Sequence, residues 1–336
     1  PTADYPTARL PDHRFRIVAP DFTEIHDSVR SGRIDFVLAN SAFYVEMEKL
    51  HGAYRITTLI NRNLPGQPTT TFGGVIFCRA DRADLQRLAD LRDQRFMAVE
   101  ARSFGGWIAC WRELHRQSID QLRFFASLDY GNTHDAVVLA VRDGRVDAGT
   151  VRTDTLERMA EAGTIRMEEF RILEERQVPG FPFKLSTELY PEWPMAALPD
   201  TPAELVRRVT AALLAMAADD PAARASKSAG WSAPLNYQPV HDCLLDLRIG
   251  PYADFGQFTL RDVLHRYWRQ LTLLTLAVGA MGAAALAILR LNRRLVEKNR
   301  EIDALNTTLE ARVVERTSRI PSLLDQELYL REIMET

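Results

Sequence analysis

The residues best suited to chemistry stand where apolar runs give way to helix-like stretches. The first such place is Ser103-Phe104-Gly105-Gly106, which follows the apolar run 95–99. Each glycine lowers helix propensity by about 1 kcal/mol, so two of them at a helix start call for a reason. Glycines let backbone N–H groups approach a ligand closely, and a helix N-terminus carries roughly half a positive charge. Together with a serine they form an anion-binding arrangement. Gly131-Asn132-Thr133-His134-Asp135 opens a helix over about 133–142 in the same way; Thr133 or Asn132 reads equally as a plain N-cap. Arg152-Thr153 forms a third junction, with surface pairing of Arg152 to Asp154 or Glu157 as the alternative. Ser103, Gly105, Gly106, Thr133, His134, Arg152 and Thr153 at such helix starts point to a small oxyanion held mainly by hydroxyls and amides, with His134 as a donor. A lone histidine makes no metal site, and neither metal nor cofactor is expected.

A hydrolase would need an activated nucleophile. The sequence contains no G-x-S-x-G and no H-E-x-x-H. Ser103 and His134 have no orienting acid other than the adjacent Asp135. The chain is therefore expected to bind rather than to catalyse.

The elements that must position these residues alternate. Strand-like runs 15–19, 34–40, 75–78, 95–99 and 146–151 lead into helix-like stretches 21–31, 41–51, 82–91, 104–117 and 153–162. This pattern predicts an α/β fold with largely parallel sheets, whose ligands bind beyond the carboxyl ends of the strands. An internal echo supports two similar halves. VRSGRIDFVLANSAFYVEM (29–47) aligns without gaps on VRDGRVDAGTVRTDTLERM (141–159). Gly32 and Gly144 occupy helix C-cap positions in it. Chance similarity between α/β units is the other reading. Two such units would set Asn40-Ser41 against Arg152-Thr153 across a cleft.

Composition excludes some classes. The 336 residues carry a net charge of −3, with 46% hydrophobic and 26% charged residues. That suits a globular protein of two domains or lobes and argues against a nucleic-acid partner. The three cysteines, Cys78, Cys110 and Cys243, are far apart and form no C-x-x-C; buried free thiols are expected over a single disulfide. The sequence starts at Pro1 without a methionine, so a processed or cut N-terminus is expected.

One stretch departs from this average. Residues 271–289 carry no charge, a length that crosses a ~30 Å hydrocarbon core; a buried core helix is the alternative. Tyr267 and Trp268 precede the run, and Arg290, Arg293, Arg294, Lys298 and Arg300 follow it. That places residues 1–270 outside and 290–336 in the cytoplasm. Gly279, Ala283 and Ala287 form either a helix-contact row or a set of lipid-facing small residues. Thr259-Leu260-Arg261-Asp262 resembles a capping box that starts the juxtamembrane helix. Beyond the span, Leu295, Ile302, Leu305 and Leu309 keep heptad-like spacing, and Val313 adds a stutter. With Lys298 and Arg316 near the seam, a weak, switchable dimeric coil is expected over a solvated single helix, ending at Pro321.

SFGGW, THDAV, VDAGTVRTDTLE and IDFVLANSAFY resemble the phosphonate-binding-protein-like periplasmic domain, in the version fused to bacterial sensor histidine kinases such as the tetrathionate sensors. The resemblance covers roughly residues 10–268, and LEARVVERT (309–317) resembles the signalling helix of such kinases. It implies a two-lobed type II periplasmic-binding-protein fold, then one transmembrane helix and a cytoplasmic coiled-coil helix. The implied domains are lobe 1 (1–74 and 183–258), lobe 2 (75–182), a juxtamembrane helix (259–270), a transmembrane helix (271–290), a signalling coil (291–320) and the start of an output region (321–336). The resemblance places the anion at Ser103 and its glycines, at Thr133-His134 and at Arg152-Thr153. In the first lobe it places Asn40, Ser41 and Tyr44 at the cleft, with Phe72-Gly73-Gly74 at a crossover strand. It also implies a first-lobe central strand that this sequence lacks, and Pro6 is expected to disturb the opening helix-like stretch. The expected role is extracytoplasmic sensing of a small oxyanion by a single-pass, homodimeric protein of the bacterial inner membrane. Lobe closure would signal to a histidine kinase or cyclase after residue 336 and to a cognate response regulator. A membrane-anchored solute receptor for an ABC-type anion transporter is the alternative.

Overall fold

The computed structural model describes residues 3–19, 24–62, 64, 66–256 and 260–334. It divides into two compact units, Pro1–Gly256 and Gln257–Thr336.

The first unit is built on two sheets. One contains β1 (Phe36–Leu38), β2 (Tyr54–Asn61), β10 (Pro194–Ala197) and β11 (Ser228–Ser232), in the order β1-β10-β2-β11. The other contains β4 (Gly74–Arg79), β5 (Arg95–Ala98), β6 (Ser127–Tyr130), β7 (Ala148–Arg152) and β8 (Phe170–Leu173), in the order β6-β5-β7-β4-β8. A two-stranded ribbon, β3 (Thr71–Phe72) against β9 (Tyr190–Pro191), lies on the chain between them. The helices are α1 (Asp4–Arg9), α2 (Glu24–Arg30), α3 (Ser41–His51), α4 (Ala109–Arg116), α5 (Gln121–Phe124), α6 (His134–Arg142), α7 (Thr155–Glu161), α8 (Ala203–Leu214), α9 (Pro221–Ala225) and α10 (Gln238–Leu247).

The pairing corrects the expectation of largely parallel sheets. Only β5 runs parallel to its neighbours, β6 and β7. β10 enters antiparallel between β1 and β2, and β4 lies antiparallel between β7 and β8. Both inserted strands adjoin the ribbon in sequence, so the direction of the crossover sets their polarity. Three further local expectations are corrected. Residues 15–19 form no strand, and Ile17 and Val18 are exposed. Instead of a helix over 82–91 there is one 3₁₀ turn, Leu88–Leu91, closed by the Asp90 carboxylate on the N–H groups of Gln86 and Arg87. Pro6 sits in the first turn of α1, where its missing N–H would have no intrahelical acceptor.

Beyond the outer edge of β1 lies a cavity of about 370 Å³, lined by Phe15, Ile17, Val18, Phe36, Leu38 and Val209 among others. This is the half in which the resemblance implies a further strand. All three cysteines are buried free thiols, as expected.

The second unit carries α11 (Leu260–Met334), interrupted by non-helical backbone at Tyr267. Its apolar stretch is long enough to cross a bilayer, and none of it is buried within the protein. The capping-box start at Thr259 lies outside the described residues. Pro321 does not end the helix, which runs on to Met334.

Candidate anion-binding site

The junction at Ser103 is a π-helical turn, Phe104–Ile108, inserted between β5 and α4. Such turns hold an extra residue per turn and recur at functional sites. Ser103 caps it: its hydroxyl accepts from the Gly106 N–H at 3.2 Å. The glycines have a packing reason. A Cβ on Gly106 would stand 2.5 Å from Val99 Cγ2 and 2.7 Å from Ser103 Oγ. A Cβ on Gly105 would stand 2.9 Å from the Phe72 ring. The turn therefore presses directly on the end of β5 and on the ribbon.

A cavity of about 270 Å³ opens at this turn. Of the ten residues singled out from the sequence, Asn40, Ser103, Gly105, His134 and Arg152 line it. Every one stands at the carboxyl end of a strand or in the junction that follows it. The other five stand elsewhere. Gly106 forms the floor of the π turn. Thr133 acts as the N-cap of α6, accepting from Ala136 N–H at 3.2 Å. Ser41, fully buried, donates to Pro191 O at 2.6 Å. Thr153 Oγ1 accepts from Gly73 N–H at 3.2 Å. Tyr44 is buried in the core: its hydroxyl donates to Glu48 at 2.9 Å and its ring packs edge-on against Tyr237. By helical periodicity Tyr44 shares the face of Asn40, one turn further along α3, but there that face is covered by Tyr237.

Glu100, Arg102, Asn132 and Trp193 also line the cavity and were not singled out. Glu100 and Arg102 flank Ser103 in the same junction, which was the available signal. Trp193 follows β9, and nothing local marks it. Asn132 adopts a left-handed backbone with φ of 62°, a conformation that asparagine tolerates better than most residues.

Two side chains set the electrostatics. His134 Nδ1 accepts from the Arg152 backbone N–H at 3.2 Å, so a neutral ring carries its proton on Nε2. Burial lowers its pKa to about 4, with the nearby Arg152 and Arg158 charges adding to the effect against Asp135. The imidazole is thus a neutral donor at physiological pH. Arg152 is held on several sides. Its guanidinium is paired with the fully buried Glu192, lies 3.4 Å from Asp154 and stacks 4.5 Å from the centre of the Phe72 ring. Of the partners weighed from sequence, Asp154 is found and Glu157 is not: Glu157 accepts from Lys184 N–H at 2.6 Å. Among the described residues no cluster suited to a metal ion is found.

A third group joins the two sheets at the ribbon. Arg112 of α4, 4% exposed, donates to Asp246 of α10 at 2.8 and 2.9 Å. It also reaches Glu188 at 2.9 Å and the Tyr190 hydroxyl at 3.2 Å.

With this geometry described, comparisons place the chain. The model of the periplasmic substrate-binding proteins of phosphonate ABC transporters matches residues 1–242. The chain belongs to this phosphonate-binding family. It is 31% identical over 252 residues to the tetrathionate sensor histidine kinase of Salmonella typhimurium, covering 75% of this chain and 41% of that protein. The chain therefore spans less than half the length of this relative. Among solved structures, a binding component of an ABC phosphonate transporter from Pseudomonas aeruginosa superposes with a TM-score of 0.55 at 13% identity, over 84% of this chain and 91% of that one. PhnD1 from Prochlorococcus marinus, in complex with methylphosphonate, superposes with a TM-score of 0.55 at 14% identity, over 74% and 90%. These likenesses show the type II periplasmic-binding-protein fold that the sequence motifs indicated, here followed by a long apolar helix. In this phosphonate-binding family member, the cavity lies where the strand ends of both sheets meet the ribbon.

Proposed function

We propose that the chain is the extracytoplasmic sensing module of a membrane sensor kinase, and that a small oxyanion binds in the 270 Å³ cavity. The observation that carries this reading is the convergence of Asn40, Ser103, Gly105, His134 and Arg152 on one cavity at strand ends. The neutral His134 supplies an N–H donor at no cost in charge, and Ser103 and the π turn supply hydroxyl and amide donors. Arg152 is already neutralised by Glu192 and Asp154, so the site favours an anion that takes hydrogen bonds over one that needs a free cation. The 31% identity to a sensor kinase and the apolar stretch of α11 support a single-pass, inner-membrane topology with a cytoplasmic C-terminal end. On this reading residues 1–74 and 183–258 form one lobe and 75–182 the other. Closure of the lobes on the anion is passed through the membrane helix to a dimeric coil and on to the kinase and response regulator. A closed form that dominates only with ligand needs differential affinity; about 5.5 kcal/mol moves a 1:99 population to 99:1.

The family match favours a second reading, a membrane-anchored receptor that delivers the anion to an ABC transporter. Thermal unfolding of the detergent-solubilised chain against phosphate, methylphosphonate, thiosulfate and tetrathionate tests the shared core of both. An anion at 100 times its dissociation constant adds about 2.7 kcal/mol of stability. The shift is expected for at least one anion and is expected to be lost in Ser103→Ala. No shift with any of them sinks the oxyanion reading. Ligand-dependent autophosphorylation of the full-length protein then separates sensing from delivery.

A further inference from the structure

We infer that the ligand is an organic oxyanion carrying a compact apolar group, and that this group occupies a second pocket beside the anion cavity. The inference rests on the oxyanion reading above. The second pocket has a volume of about 210 Å³. Its apolar wall is formed by Phe43, Ile108, Trp111, Leu244, Ile249 and Pro251. Asn40 and Arg102 line this pocket and the anion cavity alike, so the two adjoin with those side chains between them. One is lined by strand-end donors and charges; the other is mostly hydrocarbon and indole. An apolar cavity of about 150 Å³ takes up benzene, so 210 Å³ accommodates an aryl or short branched alkyl group.

The walls come from separate parts of the fold. Phe43 belongs to α3, Ile108 to the π turn, Trp111 to α4 and Leu244 to α10, while Ile249 and Pro251 follow α10. Trp111 is partly exposed and stacks on Trp107 with ring centres 6.1 Å apart. Small mineral anions would fill the first cavity and leave this apolar wall wet. An aryl oxyanion covers it, and in doing so touches the elements of both sheets and the segment that leads toward α11.

Binding of matched pairs to the detergent-solubilised chain tests this: methylphosphonate against phenylphosphonate, and methanesulfonate against benzenesulfonate. In at least one pair the aryl anion is expected to bind about tenfold more tightly or better, from the apolar area it buries. Ala101→Phe fills the pocket from an exposed wall position outside the anion cavity. It is expected to erase the aryl advantage and to leave the methyl anion's affinity unchanged. Methyl anions that bind as well as or better than aryl ones overturn the inference while the oxyanion reading stands. Aryl binding that survives Ser103→Ala reveals an independent apolar site and also overturns it. No binding by any of the four organic anions overturns this inference, while the oxyanion reading is then decided by phosphate, thiosulfate and tetrathionate.

Discussion

The two copies of the internal repeat use one sequence pattern in two different settings. In both, a helix ends at a glycine with positive φ (65° at Gly32, 70° at Gly144), a strand follows and a new helix begins. The aligned positions do the same jobs. Asn40 and Arg152 both line the candidate cavity. The next residues, Ser41 and Thr153, both turn their hydroxyls to the ribbon: Ser41 to Pro191 of β9, Thr153 to Gly73 just past β3. The settings differ. β7 is a central strand with four buried residues, whereas β1 has three residues and a single partner. The junctions differ too. α3 starts at once, with the Asn40 carboxamide capping the Phe43 N–H at 3.1 Å. In the second copy Asp154 takes a left-handed backbone with φ of 73° and delays α7, and Arg152 lies among Phe72, Asp154 and Glu192. A shared pattern thus fixes the anchor to the ribbon, while the residue before it is free to specialise as a cap or as a charged member of the site.

The comparison is open to breakage. The largest effect is expected from Glu192→Ala, which leaves Arg152 buried with only Asp154 as its carboxylate partner. A loss of about 3 kcal/mol in urea unfolding is expected, with no counterpart at Asn40, where Asn40→Ala removes a cap and costs about 1 kcal/mol. Acid acts next on the setting of the second copy, through His134, which lies outside the repeat and accepts from the Arg152 backbone N–H. His134 has its pKa lowered in the fold, so its contribution is fully present above about 6.5 and is lost as pH falls toward 4. Unfolding measured between pH 7 and 5 should show a loss of about 2 kcal/mol from this group. His134→Gln should remove that part of the slope and leave what His51, lowered by burial, contributes against Glu113 and Glu157, which burial raises. The smallest effects sharpen the likeness: Ser41→Ala and Thr153→Val should each cost about 1 kcal/mol, through a ribbon group left without its partner. Unequal costs, differing by a factor of three or more, would show that the two anchors are not equivalent.

Most of what positions the site was legible in the sequence. The runs that became β1, β5 and β7 are short and apolar, with junctions directly behind them, and these local signals located Asn40, Ser103 and Arg152, while His134 was located by the start of α6 alone, since the strand before it, β6, went unread. What escaped depended on distant partners. The four residues of β10 are a strand because β1 and β2 flank them, and Trp193 reaches the cavity because the ribbon carries it there. Residues 15–19 have strand-like composition and lie beside the open edge of β1, yet they form no ladder with it. Tyr44 shows the limit of motif transfer within a helix: the 3.6-residue repeat keeps it on the face of Asn40, but one turn along α3 that face is covered by Tyr237, a distant partner that no local pattern marks.

The ribbon has a mechanical consequence. Two paired residues from each of two strands, clamped on one side by Ser41 and on the other by Thr153, make a leaf spring. A leaf spring flexes about one axis and resists shear along the others. The Arg112 guanidinium, tied to Asp246, Glu188 and Tyr190, braces it like a strut. On the proposed reading, motion between the two sheets bends this ribbon about one axis, and whatever fills the space between them sets that single angle.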